Sequence, residues 1–343
     1  MRRLCIGSAG CAAARLLAGC ATRTFDLQGH RGARGLAPEN TLPAFATALA
    51  LGVTTLELDT AITRDGMIIV SHDPFLNPDI TRGPGGAFLK EKGPAIHALT
   101  YSELQRFDVG RINPASKYAA GQPEQKPVDG TRLPRLPEVF ALTRRAGDRD
   151  IRFNIETKVS PLAPDETLPP EDFTNRLLAV IYAEGMSGQV TLQSFDWRTL
   201  QHSQRAAPAI PTVYLTAQQP WLDNIGAGKP EGSPWTAGFQ ARDHGNSVPR
   251  MVRAAGGAIW SPYFGDVDQK KIDEAHRLGL AVVVWTVNKP EDIARMLELK
   301  VDGIISDRPD RVRTAMAERK MPLPRPASIR QEHQGFSSTL PIF

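Results

Sequence analysis

The sequence of 343 residues predicts an α/β fold, a closed (β/α)8 barrel of the TIM type. Eight short runs of apolar and β-branched residues alternate with helical patterns, which is typical of a parallel barrel. A doubly wound open sheet is the main alternative, but Gly32-Ala33-Arg34-Gly35 lacks the dinucleotide-binding pattern expected after its first strand. The predicted barrel strands are residues 26–30, 54–59, 152–156, 190–194, 211–215, 258–261, 281–285 and 302–306.

The helices between these strands are partly legible from spacing. Residues 40–51 carry apolar side chains at helical intervals, and residues 268–278 and 290–299 are similarly amphipathic. Residues 67–72 form a ninth strand-like run, joined to the second strand by Arg64-Asp65-Gly66. The Asp-Gly pair favours a tight hairpin, so this run is predicted to fold back antiparallel.

Two irregular stretches interrupt the alternation. Residues 73–136 are rich in Gly, Pro and polar residues and are too long for an ordinary βα loop. We interpret them as a small insertion over the barrel mouth, after the hairpin, with one helix near residues 101–108. Residues 216–250 form a second predicted irregular loop, which carries Trp221 and Trp235 at the carboxyl end of a strand.

The N-terminal residues 1–21 resemble an export signal, with basic residues followed by an apolar stretch. Leu17-Ala18-Gly19-Cys20 resembles a bacterial lipobox, in which the cysteine carries lipid and anchors the protein to a membrane surface. Arg15, inside the apolar stretch, argues against that interpretation, and the alternatives are ordinary cleavage after Cys20 or Ala21, or an unprocessed apolar start. We expect an exported protein of the periplasm or cell envelope, with its barrel at residues 22–320 and a tail at 321–343.

Charge and cysteine content exclude several classes of function. The formal net charge is +4, and removal of the three arginines in the leader would leave about +1. No block of Lys and Arg resembles a nucleic-acid-binding arm, so we expect no nucleic-acid partner, and no protein partner is evident. All three cysteines, Cys5, Cys11 and Cys20, precede the barrel, which therefore has neither a disulfide nor a thiol nucleophile.

Paired acidic residues end two predicted strands. In Glu57-Leu58-Asp59 the two-residue period of a strand points both carboxylates to one side, and Glu156-Thr157-Lys158 repeats the spacing. One acidic strand end is more often solvated or ion-paired, here with Lys158 or Arg31. Two such pairs, each ending an apolar run, favour instead a site for one divalent cation, Mg²⁺ or Ca²⁺, because clustered carboxylates repel unless a hard cation compensates them.

Two histidines are predicted to reach the same mouth. His30-Arg31-Gly32 ends the first strand, and Ser71-His72-Asp73 ends the hairpin strand. Imidazoles titrate near neutral pH, so a pair flanking a phosphate can act as base and acid, and the Arg31 guanidinium suits phosphate oxygens. A lone histidine at a strand end is more often structural. The remaining histidines are assigned that role: His97, His202, His244, His276 and His333.

Aromatic residues follow two other strands. Trp285 comes directly after an apolar run, where its indole would form an apolar wall for a bound ligand or, equally, part of a structural barrel rim. Gln193-Ser194-Phe195 ends another strand, so Phe195 is predicted to line the pocket, whereas Gln193 could orient neighbouring groups. Ser194 lacks the G-x-S-x-G elbow of a serine nucleophile.

Taken in order, these segments resemble the motifs of the glycerophosphodiester phosphodiesterase family. The resemblance spans roughly residues 26–315, and it is the ordered set that is specific. The matching segments are His30-Arg31-Gly32, Pro38-Glu39-Asn40-Thr41, Glu57-Leu58-Asp59, Asp65-Gly66, His72-Asp73, Glu156-Thr157-Lys158, Gln193-Ser194-Phe195, Trp285-Thr286-Val287-Asn288 and residues 302–309.

The resemblance implies hydrolysis of glycerophosphodiesters to glycerol 3-phosphate and an alcohol. It makes Glu57, Asp59 and Glu156 the metal ligands, His30 and His72 the acid/base pair, and Arg31 and Lys158 phosphate contacts. In the implied mechanism the glycerol 2-hydroxyl attacks phosphorus and expels the alcohol, and water then opens a cyclic phosphate. The alternatives are a lysophospholipase D-like or sphingomyelinase D-like phosphodiesterase and a non-catalytic glycerophosphodiester-binding protein.

Overall fold

The structure, a computed structural model, describes residues 24–327. Eight strands pair in parallel, and β1 pairs with both β2 and β11, so the sheet closes into the predicted (β/α)8 barrel. The other three strands lie in two antiparallel hairpins. In these, β3 pairs with β2, and β7 pairs with β8. The strands are β1 (Asp26–Gly29), β2 (Thr55–Ile62), β3 (Ile68–Val70), β4 (Arg152–Thr157), β5 (Val190–Ser194), β6 (Thr212–Thr216), β7 (Gln218–Gln219), β8 (Leu222–Asp223), β9 (Ile259–Pro262), β10 (Ala281–Val284) and β11 (Gly303–Ser306).

Helices surround the barrel, and several begin where the sequence supplies a cap. Thr41 accepts a hydrogen bond from the Ala44 backbone N–H at the start of α1, and Asp268 caps α8 in the same way. Residues 40–51, 268–278 and 290–299 are helical as predicted, apart from their ends. The helices are α1 (Leu42–Leu51), α2 (Tyr101–Leu104), α3 (Lys117–Ala120), α4 (Leu136–Ala146), α5 (Pro170–Ala183), α6 (Trp197–Ala206), α7 (Val248–Ala254), α8 (Gln269–Arg277), α9 (Pro290–Glu298) and α10 (Pro309–Glu318).

The long segment between β3 and α4 packs as a layer on the β2–β3 hairpin. Its buried apolar side chains form a separate cluster with Ala61 and Ile69 of the hairpin. The helix predicted at residues 101–108 is wrong in length, since α2 has only four residues. The chain leaves the helix because Asp108 exchanges backbone hydrogen bonds with Arg82 at 2.8 and 2.9 Å.

Residues 216–250, predicted to be irregular, contain regular structure at both ends. The β7–β8 hairpin follows β6 directly, and α7 begins at Val248 after its cap, Ser247. After α10, residues 321–327 run without regular structure to the end of α1, where the Ala327 N–H donates to the Leu49 carbonyl at 2.9 Å. The leader with Cys20, and His333, lie outside the described residues. Within residues 24–327, no helix has the length and apolar character needed to span a bilayer.

The loop between β1 and α1 has no room for a side chain at Gly32. Gly32 has φ +86°, and its N–H donates to the carbonyls of Gly29 and Glu57. A Cβ on Gly32 would lie 2.6 Å from the carbonyl carbon of Ala44. Only glycine combines this left-handed conformation with such close contact to α1.

We expect Gly32→Ala to lower the free energy of unfolding by about 1–3 kcal/mol, because strain adds to the steric clash. Gly279→Ala is the matched control, since Gly279 has φ +78° and open space around its Cβ position. The control should lose about 1 kcal/mol, the cost of the backbone conformation alone. Urea unfolding measures both, and equal losses would show that contact with α1 is unimportant.

Candidate active site

Three carboxylates converge inside the carboxyl end of the barrel because of the pairing of β2 with β4. Asp59 lies directly opposite Glu156 in this ladder, and Glu57 lies two residues before Asp59 on the same face. All three side chains are buried, and one oxygen from each lies within 4.8 Å of the others. The strand period and parallel pairing thus bring together the three acids identified in the sequence.

The electrostatics of this cluster are unbalanced. Burial, together with the neighbouring Asp59, raises the pKa of Glu57 well above its usual range, and burial raises the pKa of Glu156 to about 7. Against burial, Arg31, His72 and Lys158 hold the pKa of Asp59 below its usual range. Two carboxyl groups would therefore hold protons in an uncompensated site. A hard divalent cation fits three oxygen donors and would supply the missing positive charge.

Two basic side chains border the cluster. Lys158 Nζ lies 2.9 Å from Glu156 Oε1 and 3.7 Å from Asp59 Oδ1. Arg31 donates to Glu39 Oε1 at 2.6 Å, while its Nε, 3.3 Å from Asp59 Oδ2, lacks a hydrogen bond. Both line the same cavity as the carboxylates, where their charges can also meet an anionic ligand.

His30 is held by a carboxylate that its motif does not reveal. Its Nδ1 lies 2.5 Å from Asp307 Oδ1, which leaves Nε2 facing the cluster, 3.9 Å from Glu57 Oε2. Arg34 donates to both oxygens of Asp307 at 2.8 and 2.9 Å, and the Asn288 side chain donates to Asp307 Oδ2 at 2.8 Å. Burial lowers the pKa of His30 to about 4, although Asp307 opposes this shift, so the imidazole is neutral near pH 7.

His72 occupies the rim of the same cavity. Its Nδ1 lies 3.1 Å from Asp73 Oδ1, and Asp73 is itself bound by Asn77 at 2.7 Å. Burial, with Arg31 and Lys158 nearby, lowers the pKa of His72, while Asp59 and Asp73 raise it. An anion placed between these groups would favour the protonated imidazole.

Glu57 ends a chain of hydrogen bonds through the barrel interior. Gln193 donates to Glu57 Oε1 at 2.6 Å, and Asn154 donates to Gln193 Oε1 at 2.8 Å and to Gln28 Oε1 at 3.0 Å. The Arg31 backbone N–H donates to the other oxygen of Glu57 at 2.8 Å. Gln193 therefore orients a site residue, one of the roles considered for it from sequence.

Aromatic rings close one side of the cavity. Phe195 and Trp285 meet edge to face, with ring centroids 5.3 Å apart, and the Trp285 indole N–H donates to the Ser261 carbonyl at 2.9 Å. The cavity has a volume of about 150 Å³ and is also lined by His30, His72, the three carboxylates and Lys158. Every site residue predicted from the sequence of the barrel thus borders this one cavity.

The insertion contributes groups that the sequence did not assign. The Tyr118 hydroxyl, on α3, donates to Glu39 and accepts from Arg34 at 2.9 Å, and Gln122 donates to Asp307 at 3.3 Å. These contacts brace the two residues that hold Arg31 and His30. Elsewhere, His202 and His276 bond Asn175 and Asp302 and do not line the cavity, in keeping with their predicted structural role.

An eight-stranded barrel with an acidic, histidine-flanked cavity at the carboxyl ends of its strands defines a TIM-barrel enzyme. Comparison with known proteins is consistent with that class. Residues 30–311 match the model of the glycerophosphoryl diester phosphodiesterase family. The chain therefore belongs to this family, which confirms the resemblance drawn from its motifs.

Individual relatives align with more than four fifths of the chain. A glycerophosphodiester phosphodiesterase of Caldanaerobacter subterraneus is 28% identical over 82% of this chain and 93% of its own length. A glycerophosphodiester phosphodiesterase of Bacillus subtilis is also 28% identical, over 82% of this chain and 83% of its own length. The crystal structure of a putative glycerophosphoryl diester phosphodiesterase from Silicibacter pomeroyi is 34% identical, covers 88% and 95% of the two chains and has a TM-score of 0.77.

We expect Asp307→Asn to lower the free energy of unfolding by about 3–5 kcal/mol at pH 7, because it leaves the buried Arg34 charge without its carboxylate. Arg34 and His30 hold the pKa of Asp307 well below its usual range, against the effect of burial. The stabilisation is therefore complete above the unfolded carboxyl pKa of about 4 and is lost as the pH falls below it.

Denaturation of wild type and variant across pH measures this difference, which should shrink at low pH. Asp310→Asn is the control, since Asp310 pairs with the neighbouring Arg308 but does not contact His30. NMR of the His30 ring provides a second measurement. The proton should reside on Nδ1 in the wild type and redistribute in Asp307→Asn, and an unchanged tautomer would contradict the assigned role.

Proposed function

We propose that this protein hydrolyses glycerophosphodiesters to glycerol 3-phosphate and an alcohol, with one divalent cation, Mg²⁺ or Ca²⁺. The observation that carries the proposal is the convergence in one cavity of three buried carboxylates, two histidines and two basic side chains. A phosphodiester has a negative charge to bind, an attacking hydroxyl to deprotonate and a leaving oxygen to protonate. The cavity offers a group for each of these tasks.

Glu57, Asp59 and Glu156 are the residues that would hold the cation. When bound, it would polarise oxygen ligands and offset negative charge on the phosphoryl group. The protein fixes the carboxylates for this purpose: Gln193 and the Arg31 N–H bind Glu57, and Asn40 donates to Asp59 at 2.9 Å. Such supporting hydrogen bonds orient ligands and tune their affinity.

We assign different roles to the two histidines. His30 is neutral, its Nδ1 is bound to Asp307, and its Nε2 lone pair is available, so it is suited to accept the proton of the attacking glycerol hydroxyl. Burial, with Arg31 and Lys158, lowers the pKa of His72, but Asp59 and Asp73 oppose this shift, and a bound phosphodiester anion would strengthen their effect. We assign His72 the donation of a proton to the leaving oxygen.

Lys158 and Arg31, which both lie beside Asp59, would bind the phosphoryl oxygens. Their charges are preorganised, since Lys158 contacts Glu156 and Arg31 is fixed by Glu39. Fixed cations stabilise charge that develops in the transition state without reorganisation of solvent. Phe195 and Trp285 would exclude water on the apolar side of the bound glycerol.

We further propose export to the periplasm or cell envelope, with anchoring to a membrane through a lipid on Cys20. The support is the sequence of the leader, residues 1–21, with its lipobox-like tetrapeptide. Labelling with radioactive palmitate in a bacterial host tests the anchor. Label in the wild type and none in Cys20→Ala would support it, whereas unlabelled protein in the medium would refute it.

The activity is tested by the release of glycerol 3-phosphate from glycerophosphocholine, glycerophosphoethanolamine and glycerophosphoglycerol. We expect release with Mg²⁺ or Ca²⁺, none with chelator, and a loss of at least about 100-fold in Glu57→Gln, the scale of losing one preorganised electrostatic group. Glu171→Gln, at an exposed acid on α5, is the matched control and should retain full activity.

Three other outcomes would point elsewhere. Turnover of lysophosphatidylcholine or sphingomyelin, but of none of the three small diesters, would indicate the lysophospholipase D-like or sphingomyelinase D-like alternative. Binding of the diesters without turnover would indicate the non-catalytic binding protein. A folded protein that neither binds nor hydrolyses any of them would refute the proposal.

A further inference from the structure

Three aromatic rings meet at the outer edge of the active-site cavity. Their centroids are 5.2 Å apart for Trp221 and Tyr263, 5.7 Å for Tyr263 and Trp285, and 6.2 Å for Trp221 and Trp285. The corresponding ring planes cross at 83°, 64° and 81°. The rings therefore stand steeply to one another, as three walls of a corner do. We call Trp221, Tyr263 and Trp285 the aromatic corner.

The corner is held in place although part of it is exposed. Trp221 lies in the turn of the β7–β8 hairpin and is 59% exposed. Asp266 anchors that hairpin, because its carboxylate accepts from the Gln218 N–H at 2.8 Å and from the Gln219 side chain at 2.5 Å. A large apolar side chain fixed in an exposed position beside an active site is a candidate for ligand contact.

The corner joins two cavities. Trp285 lines the inner cavity of about 150 Å³ that holds the carboxylates, and Trp221 lines an outer groove of about 620 Å³. Sites that enclose a whole small molecule usually measure about 300–1,000 Å³, so the inner cavity accommodates only one half of a diester. The Trp221 ring, 6.2 Å from the Trp285 ring, links the inner cavity to the outer groove, where the other half, the leaving alcohol, would lie.

The chemistry of the corner favours a compact cation. Aromatic faces attract positive charge, and among residues 24–327 no Lys or Arg lies over the rings of Trp221, Tyr263 or Trp285. The charged groups beside the hairpin are paired: Lys229 lies 3.4 Å from Asp223, and Lys271 donates to the carbonyl of Asp266. The aromatic faces are therefore the feature that would attract a cation. Steep walls surround a compact group on several sides, whereas an acyl chain would need an extended apolar channel.

We propose that the aromatic corner is the subsite for the leaving alcohol and that it selects a quaternary ammonium alcohol such as choline. This inference rests on the proposed phosphodiesterase activity and adds the substrate class. Lys158, whose Nζ is 6.0 Å from the Phe195 centroid, marks the phosphate end, and the Phe195–Trp285 pair leads from there to the corner.

The test compares glycerophosphocholine with its neutral isostere, in which a tert-butyl group replaces trimethylammonium. The two substrates match in shape and differ in charge. We expect the wild type to favour the charged substrate in kcat/KM by roughly 2- to 30-fold, the range of cation–π interactions. Trp221→Leu keeps apolar bulk but removes an aromatic face, so it should bring the ratio of the two kcat/KM values close to one. Tyr182→Leu, at an exposed aromatic on α5, is the control and should retain the wild-type ratio.

Equal kcat/KM for the two substrates, or preference for the neutral one, would overturn the inference while the phosphodiesterase activity stands. Preference for lysophosphatidylcholine that Trp221→Leu abolishes would assign the corner to an acyl chain and would also overturn it. If neither small diester is hydrolysed, titration of tryptophan fluorescence with tetramethylammonium still decides the point. Saturable quenching in the wild type that is lost in Trp221→Leu supports the subsite, and identical titrations refute it.

Discussion

The mutual repulsion of three buried carboxylates is the constraint on which the rest of this site depends. Parallel pairing of β2 with β4 places Glu57, Asp59 and Glu156 inside the barrel, where water cannot screen them. Isolated, such a cluster would be unstable or would take up protons, as the raised pKa values of Glu57 and Glu156 show. The fold therefore retains the cluster only with positive charge close by, and a divalent cation is the most compact source of it.

The surrounding residues supply further positive charge beside the carboxylates, and a second set of residues holds those positive side chains in place. Lys158 and Arg31 contact the carboxylates, and Glu39 in turn binds Arg31. On the opposite side, Arg34 and Asp307 form a buried pair that fixes His30. Each charged side chain is thus held by an opposite charge behind it. Rigid charges of this kind suit phosphoryl transfer, in which positioning and electrostatic stabilisation supply most of the catalysis.

Sequence reasoning predicted the barrel and the residues at its strand ends, because both follow from local rules. The two-residue period of a strand places Glu57 beside Asp59, and parallel strands bring their carboxyl ends to one mouth. The roles of Asp307 and Tyr118 could not be predicted in this way. Asp307 reaches His30 only through closure of β11 against β1, and Tyr118 lies in an irregular insertion whose docking depends on tertiary contacts. The length of α2 was mispredicted for the same reason, since backbone pairing of Asp108 with Arg82 overrides local helical spacing.

Neutralisation of the buried carboxylates by a divalent cation can be measured by calorimetric titration of Mg²⁺ or Ca²⁺ into metal-stripped protein. Measurement near pH 6.5 in two buffers of different ionisation enthalpy also counts the protons released. We expect one cation per chain with proton release, since burial raises the pKa of Glu156 to about 7. Binding without proton release, or equal binding by a variant that combines Glu57→Gln, Asp59→Asn and Glu156→Gln, would contradict this expectation.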